Sequence, residues 1–535
     1  MQADSRKIIS ENIVADRSKL KIICVFLHRI YFGRIPYERQ YRGKKRKAMN
    51  ITELQQSYAS HPNVEGVCRL LKDNSVRHLY CGGLYASAAS LFSSVLVQRA
   101  TCPLVFILGD MEEAGYFYHD LTQILGTEQV LFFPSSFRRA IKYGQKDAAN
   151  EILRTEVLSR LQKGEEGLCV VTYPDALAEK VVSRKELGEN TLKLHAGERV
   201  DMNFVTDVLR SYGFEYVDYV YEPGQYAVRG SIIDVFSFSS EYPFRIDFFG
   251  DEVESVRTFE VETQLSKEKK ESIVIVPDLS HSLEKKGSGG MVSFLDFLPS
   301  DSLLAMRDFL WLRERIQTVH DESLTPQAIA ARESEENGAI TLEGKLIDGG
   351  EFTLRALDFR RMEFGNKPTG TPDATVSFHT TVQPIFHKNF DMVAESFREY
   401  LSRHYTIYIC SDSLKQTDRI RAIFEDRGDN ISFTAVERTL HEGFADDTLR
   451  ICVFTDHQLF DRFHKYNLKS DKARSGKVAL SLKELNQFTP GDYVVHQSHG
   501  IGMYAGIQRL EVQGAIKDYL KIQYSGSDVL YVPVP

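Results

Sequence analysis

The feature that most limits the fold is a regular alternation of short apolar runs with helical segments over residues 76–172. The apolar runs are Val76–Cys81, Leu104–Leu108, Val130–Phe133 and Leu168–Thr172, and the segments between them have helical periodicity. Strands that are apolar on both faces are typical of a parallel sheet that helices cover. The alternation therefore predicts a doubly wound α/β domain built on a parallel sheet.

The glycine turn after the first strand stands where a phosphate-binding loop would lie, but it does not match one. The pattern G-x-x-x-x-G-K-[ST] requires a second glycine and a lysine before the hydroxyl residue. Gly83 and Ser90 occupy the two ends of this pattern, whereas Ala88 and Ala89 replace the glycine and the lysine. Because no ammonium group would neutralise the phosphates, we expect this degenerate loop not to bind a nucleotide.

The sequence becomes rich in β-strand patterns from about Leu192 onward. Residues 226–236 predict a strand with a bulge or a close backbone approach at Gly230. Residues 243–252 predict a strand that runs into a Gly-Asp turn. A β-rich region therefore follows the first α/β segment.

Side-chain alternation along the second of these strands separates a core face from an opposite face. Phe244 and Ile246 fall on the core face, and Arg245, Asp247 and Phe249 fall on the other. An exposed phenylalanine beside a guanidinium group is typical of an interface hot spot. The alternative is that another element of the same domain covers Phe249 and that Arg245 is only paired with Asp247.

Two more regions follow along the chain. Helical patterns at 390–401 and 414–424 alternate with strands at 406–410 and 450–454, which predicts a small α/β domain. From Gly491 onward, short strands with glycine-rich turns predict a small β-barrel.

Composition excludes several classes of protein. Apolar residues make up 42% of the 535 residues, which excludes a largely disordered chain. Seven cysteines without a C-x-x-C pair exclude a disulfide scaffold and favour the reducing cytoplasm. The apolar run Ile22–Leu27 is too short to cross a membrane, so we expect no membrane partner. The net charge of −8 argues against sequence-independent DNA binding by the whole surface.

Residues 1–48 differ from the rest in charge, with 13 Lys and Arg against 4 Asp and Glu. The run Arg42–Lys47 is open to interpretation as a nucleic-acid arm or a localisation patch. We expect instead a disordered basic extension, or translated upstream sequence before a start at Met49.

Two strings in the sequence match a known family. Gln225–Phe236, followed by Pro243–Phe259, resembles the UvrB-homology module that UvrB shares with the bacterial transcription-repair coupling factors. Gly491–Gly502, continuing to Leu530–Val534, resembles the RNA polymerase-interacting domain of those factors and of CarD-like regulators. UvrB lacks that second domain.

Two further features favour the coupling factors over UvrB. The phosphate loop is degenerate, as it is in the UvrB-like module of the coupling factors. Ser135–Lys146 is also too short for the tyrosine-rich hairpin with which UvrB clamps DNA. Over residues 49–535 the chain therefore resembles the N-terminal portion of the coupling factors.

This resemblance implies a multi-domain α/β architecture. It comprises a degenerate helicase-like parallel sheet with a β-rich UvrB-type insert, a small α/β domain and a C-terminal SH3/Tudor-like β-barrel. The implied boundaries are a disordered extension at 1–48, the first part of the UvrB-like domain at 49–190, the UvrA-binding insert at 191–277, the second part of the UvrB-like domain at 278–382, the small α/β domain at 383–465, a linker at 466–484 and the CarD-like domain at 485–535.

The resemblance also implies a binding site for UvrA. In the family, two arginines and a phenylalanine within the matched strings bind UvrA. The corresponding residues here are Arg229, Arg245 and Phe249. No catalytic residue and no metal ligand is implied in this part of the family.

A second implied site binds the β subunit of RNA polymerase. Leu510 matches the position implicated in the family, and Ile507 and Arg509 are expected to contribute. Complete members also carry a motor that moves along double-stranded DNA and uses ATP and Mg²⁺. Because the sequence stops at Pro535, we expect no cofactor and no catalysis in this chain.

The resemblance thus predicts a factor of transcription-coupled nucleotide excision repair. The portion in this sequence is expected to dock on stalled RNA polymerase and to recruit UvrA. Two alternatives stay open. One is a UvrB-like excision-repair ATPase, which Mg²⁺-dependent binding of ATP at millimolar concentration would favour. The other is a stand-alone CarD-like transcription regulator, which would not bind UvrA.

Overall fold

The structure is a computed structural model and describes residues 24–25, 48–136, 148–261, 263–278, 290–323, 344–462, 466, 468, 490–496, 500–512, 515–524 and 528–533. The predicted extension at 1–48 and linker at 466–484 lie almost entirely outside these residues. The chain forms two compact units. The larger comprises Gly43–Glu260 with Leu265–Asp471, and the smaller contains Lys472–Pro535.

The secondary structure of the described residues is as follows. The strands are β1 Cys24–Val25, β2 Met49–Asn50, β3 His78–Gly82, β4 Leu104–Ile107, β5 Val130–Phe133, β6 Cys169–Thr172, β7 Val181–Val182, β8 Leu192–His195, β9 Glu215–Tyr216, β10 Gln225–Arg229, β11 Ile232–Val235, β12 Phe244–Phe249, β13 Glu252–Phe259, β14 Ser266–Lys270, β15 Ser272–Ile275, β16 Met291–Val292, β17 Leu303–Met306, β18 Arg360–Glu363, β19 Ala374–Ser377, β20 Thr380–Val382, β21 Thr406–Ser411, β22 Thr434–Glu437, β23 Phe444–Asp446, β24 Ile451–Thr455, β25 Tyr493–His496, β26 Gly500–Val512, β27 Ala515–Gln523 and β28 Val529–Pro533. The helices are α1 Ile51–Ala59, α2 Pro62–Leu70, α3 Ser87–Arg99, α4 Met111–Leu125, α5 Ala148–Lys163, α6 Pro174–Ala178, α7 Arg184–Glu189, α8 Met202–Ser211, α9 Phe294–Phe297, α10 Phe309–Ser323, α11 Gly349–Ala356, α12 Phe390–Ser402, α13 Leu414–Asp426 and α14 Asp456–Leu459.

A seven-stranded, wholly parallel sheet lies at the centre of the larger unit. Its order is β19-β3-β18-β17-β4-β6-β5. Strands β3 to β6 are buried along their whole length, as expected for strands covered on both faces. The predicted parallel α/β sheet is therefore confirmed. The central strands β17 and β18 come from a part of the chain that follows the β-rich region.

A six-stranded sheet forms the β-rich region, with the order β14-β13-β12-β11-β10-β9. Its pairs are antiparallel except for β9 with β10. The inner face packs against α8, where Val205 and Leu209 join a core with Ile233, Ile246 and Val256. The opposite face, called the outer face below, is not part of that core.

Gly230 has a different role from the predicted bulge. It begins a two-residue turn, Gly230–Ser231, that separates β10 from β11, so residues 226–236 form a hairpin rather than one strand. Two-residue hairpins favour a positive φ at the first turn position, and Gly230 has a φ of 61°. The predicted Gly-Asp turn is confirmed at Gly250–Asp251, between β12 and β13.

The small α/β region contains another sheet, also of six strands, in the order β2-β22-β21-β24-β23-β20. Helices α12 and α13 bury Phe397 and Phe424 in its core. The predicted helices and strands between residues 390 and 455 are confirmed. The two edge strands of this sheet, β2 and β20, come from outside the predicted range of 383–465.

The smaller unit contains a five-stranded sheet in the order β1-β25-β26-β27-β28. Strands β25 to β28 pair antiparallel, and β1 pairs parallel with β25. Its core consists of Val494, Tyr504, Leu520, Ile522 and Val532. The closed SH3/Tudor-like barrel stays a prediction. Within the part of the chain that the structure describes, no helix has both the length and the hydropathy needed to cross a membrane.

Candidate docking surfaces

The outer face of the six-stranded sheet is mainly charged at its centre. Strand alternation and register place six residues from the four strands β10 to β13 on this face. They are Arg229, Asp234, Arg245, Asp247, Phe249 and Arg257. The predicted positions for UvrA therefore lie on one face of the sheet. The turns Gly230–Ser231 and Gly250–Asp251 lie at the same end of the sheet, so Arg229 and Phe249 are both at that end.

Phe249 is the most exposed aromatic residue of this face. It is the last residue of β12, opposite Glu252, and 79% of its surface is accessible. Its neighbour Phe248 points inward and is buried. The prediction that Phe249 is exposed is confirmed, and the alternative of a covering element is wrong for the described residues.

Arg245 is held in place by a carboxylate on the neighbouring strand. Its Nε donates to Asp234 Oδ1 at 2.7 Å and its Nη2 donates to Asp234 Oδ2 at 2.9 Å. The pairing of Arg245 with Asp247 in the alternative interpretation is wrong, because Asp234 is its register partner across β11 and β12. The hydrogen bonds to Asp234 raise the pKa of Arg245, so its charge is permanent.

The same carboxylate also holds Arg229. The Nη2 of Arg229 donates to Asp234 Oδ2, and its guanidinium lies 4.9 Å from the centre of the Tyr219 ring. Arg245 lies 4.5 Å above the ring of Phe259 in the same way. Such cation–π contacts fix the plane of a guanidinium group. The two arginines therefore form one ordered, positively charged cluster.

A second ion pair lies beside this cluster. Asp247 accepts from Ser255 Oγ at 2.7 Å and from Arg257 Nη2. Its carboxylate is thus occupied by residues of β13, not by Arg245.

The outer face combines an exposed apolar anchor with ordered guanidinium groups. Arginine forks recognise planar carboxylates through paired hydrogen bonds. Buried aromatic and arginine anchors carry much of the binding energy at protein interfaces. The face is therefore suited to a protein partner that offers an apolar pocket with acidic groups beside it.

The sequence patterns did not predict roles for Asp234, Tyr219 and Phe259. The role of Asp234 could have been predicted, because a single carboxylate among the apolar residues of β11 indicates a charge that is paired. The roles of Tyr219 and Phe259 could not have been predicted, because the approach of their segments to the arginines depends on tertiary packing.

The degenerate phosphate loop makes contacts within the chain. Gly83 lies so close to Phe378 that a Cβ atom would come within 2.0 Å of its carbonyl oxygen. Ala88, Ala89 and Ser90 are buried in the first turn of α3. The structure thus places these residues inside the domain, and the absence of nucleotide binding stays a prediction.

The buried carboxylate of Asp120, a residue of α4, lies against the first turn of α3. Asp120 Oδ2 accepts from Ser87 Oγ at 2.6 Å and from Ser90 Oγ at 3.0 Å. Its Oδ1 accepts from the His441 N–H at 2.7 Å, and the His441 ring stacks on Tyr116. Burial raises the pKa of Asp120 to about 7. These contacts join the parallel sheet domain to the small α/β region.

The positions predicted to contact RNA polymerase lie on β26. Ile507 and Arg509 are exposed, and 44% of the Ile507 surface is accessible. Leu510 pairs with Lys517 on β27, and its side chain lies outside the described residues. All three positions belong to the β26–β27 hairpin, beyond the irregularity between Tyr504 and Ile507.

Comparison with known proteins connects both surfaces to one family. The family model of the UvrB interaction domain matches residues 192–281, and that of the CarD-like/TRCF RID domain matches residues 488–535. The transcription-repair-coupling factor of Bacillus subtilis (strain 168) is 24% identical over 530 residues, which cover 84% of this chain and 44% of that protein.

The transcription-repair-coupling factor of Staphylococcus aureus (strain bovine RF122 / ET3-1) is 25% identical over 516 residues, with the same coverage. The chain thus spans less than half the length of these relatives. Both matched domains lie in one chain, as the resemblance to the coupling factors implies. The chain therefore carries a UvrB interaction domain and a CarD-like/TRCF RID domain, and it is a homologue of the N-terminal portion of the transcription-repair-coupling factors.

Proposed function

We propose that this portion of the protein links transcription to nucleotide excision repair by docking on RNA polymerase and recruiting UvrA. The observation that carries the proposal is the outer face, where an exposed phenylalanine lies on the same face as two ordered arginines. This face lies within the match to the UvrB interaction domain. The match to the CarD-like/TRCF RID domain supports a second surface, to which we assign the β subunit of RNA polymerase.

The protein would act in the cytoplasm, where bacterial transcription takes place. Six cysteines of the larger unit are free thiols, which supports a reducing compartment. ATP-driven movement along double-stranded DNA belongs to the motor implied by the resemblance, and the residues of this chain act in docking.

The direct test is size-exclusion chromatography of the chain with UvrA and, separately, with the polymerase β subunit. We expect a complex to elute earlier than either component in both mixtures. Binding to the β subunit without any binding to UvrA would favour a CarD-like regulator and would contradict the recruiting role.

Substitutions on β26 should weaken binding to the polymerase β subunit. We expect Ile507→Ala and Leu510→Ala each to lower the affinity about tenfold, because truncating an apolar anchor typically costs more than about 1 kcal/mol. Ile501→Ala is the matched control, since Ile501 is also an exposed isoleucine of β26 but lies in the part paired with β25. Equal affinity for all variants and the unaltered chain would place the contact elsewhere.

A further inference from the structure

One buried carboxylate organises the charged centre of the outer face. The Asp234 side chain is only 1% exposed, whereas its partners Arg245 and Arg229 are 15% and 36% exposed. Its two oxygens accept three hydrogen bonds from these guanidinium groups. The carboxylate thus lies beneath the arginines, and a partner approaching the face would meet the arginines first.

Strand order explains why Asp234 reaches both arginines. Strand β11 lies between β10 and β12, and Asp234 is the register partner of Ala227 on one side and of Arg245 on the other. Arg229 is two residues beyond Ala227 and therefore projects from the same face. A buried carboxylate is strongly unfavourable unless it is paired and hydrogen-bonded, so the arginines and Asp234 fix one another.

The neighbouring carboxylate provides an internal comparison. Asp247 lies on the same face of the same sheet and also pairs with an arginine, but that arginine is Arg257 of β13. The face therefore has two hydrogen-bonded ionic groups, although the charge of Asp247 also contributes to raising the pKa of Arg245. Only the group around Asp234 contains residues matched to the UvrA contacts of the family.

We propose that Asp234 is the positioning residue of this docking face: it holds Arg229 and Arg245 in their binding geometry before UvrA arrives and does not itself contact UvrA. The inference rests on the proposed docking of UvrA. Long side chains lose conformational freedom when they are fixed at an interface, and prior ordering by Asp234 removes part of that cost.

A positioning role and a purely electrostatic role predict opposite effects of Asp234→Asn on the affinity for UvrA. Asp234→Asn removes a negative charge and makes the face more positive, which would strengthen binding to an acidic surface if only charge mattered. We expect instead an affinity for UvrA about tenfold weaker, because two arginines lose their fixed geometry. Asp247→Asn is the matched control and should leave the affinity within about twofold of the unaltered chain.

A double-mutant cycle separates positioning from a general structural role. Asp234→Asn should add little to the loss caused by Arg229→Ala and Arg245→Ala together, because it acts through those side chains. Its effect should add fully to that of Phe249→Ala. A general structural role would make it non-additive with both.

Thermal melting of each variant shows whether the module is folded. If Asp234→Asn does not fold, Asp234→Glu replaces it, since glutamate keeps the charge but displaces the carboxylate by one methylene. Weaker binding of that variant is again the expected result. Unaltered affinity of a folded Asp234 variant, while Arg229→Ala and Phe249→Ala lose binding, would overturn the positioning role alone. Failure of the unaltered chain to bind UvrA would overturn the docking proposal as well.

Discussion

Phe249→Ala should lower the affinity of the chain for UvrA at least about thirtyfold, since truncating an aromatic hot spot typically costs about 2 kcal/mol or more. The ring is 79% exposed in the free chain, so it makes few contacts that hold the domain together. We therefore expect the free energy of unfolding to change little. The affinity is measured by isothermal titration calorimetry and the stability by urea denaturation.

Phe204→Ala provides the control for this effect. Phe204 is also exposed, but it lies on α8, which covers the inner face of the same sheet. Its truncation should leave the affinity for UvrA unaltered. If Phe249→Ala binds UvrA as tightly as Phe204→Ala does, the partner does not use the outer face.

Asp120→Asn should remove a pH dependence from the stability of the parallel sheet domain. The ordinary pKa of an aspartate is 3.8, whereas burial raises that of Asp120 to about 7 in the folded chain. Below the lower value both states are protonated, and the folded state bears no cost. As the pH rises towards 7 the unfolded chain gives up its proton first, so stability falls, and above 7 the loss is complete.

The size of this effect follows from the pKa difference. One unit corresponds to about 1.4 kcal/mol, so the folded domain should lose roughly 3 kcal/mol between about pH 5 and pH 8 through this group. The asparagine variant should lack that loss and should gain stability relative to the unaltered chain as the pH rises. Glu442 and Cys410 lie near Asp120 and are present in both proteins, so the comparison isolates Asp120.

The chain provides its own probe for the measurement. Its one tryptophan, Trp311, lies on α10 of the same domain, so its fluorescence in urea follows the unfolding of this domain. Glu112→Gln is the control, because Glu112 is an exposed residue in the first turn of α4. A stability difference between Asp120→Asn and the unaltered chain that does not vary with pH would contradict a raised pKa.

Local patterns in the sequence were sufficient to predict the strands and the direction of their side chains. The apolar runs such as Leu104–Leu108 could be assigned because a strand covered on both faces has few polar residues. The exposure of Phe249 followed from the period of two along β12. These properties depend on residues that are close together in the chain.

The order of the strands and the partners of the charges could not be predicted in this way. Strands β17 and β18 enter the centre of a sheet that begins about 200 residues earlier, and no local pattern specifies that neighbour. Asp247 is nearer to Arg245 along the chain than Asp234 is, yet the register of β11 with β12 pairs Arg245 with Asp234. The contact between Asp120 and His441 likewise depends on the packing of two distant regions.

The most direct test of the docking face is hydroxyl-radical footprinting of the unaltered chain, alone and with UvrA. In the free chain the exposed rings of Phe249, Tyr219 and Phe204 should all be oxidised. In the complex we expect Phe249 and Tyr219 to be protected, while Phe204 on the opposite side is oxidised as before. Protection of Phe204 or of another region, with Phe249 oxidised equally in both samples, would contradict the outer face as the surface that recruits UvrA.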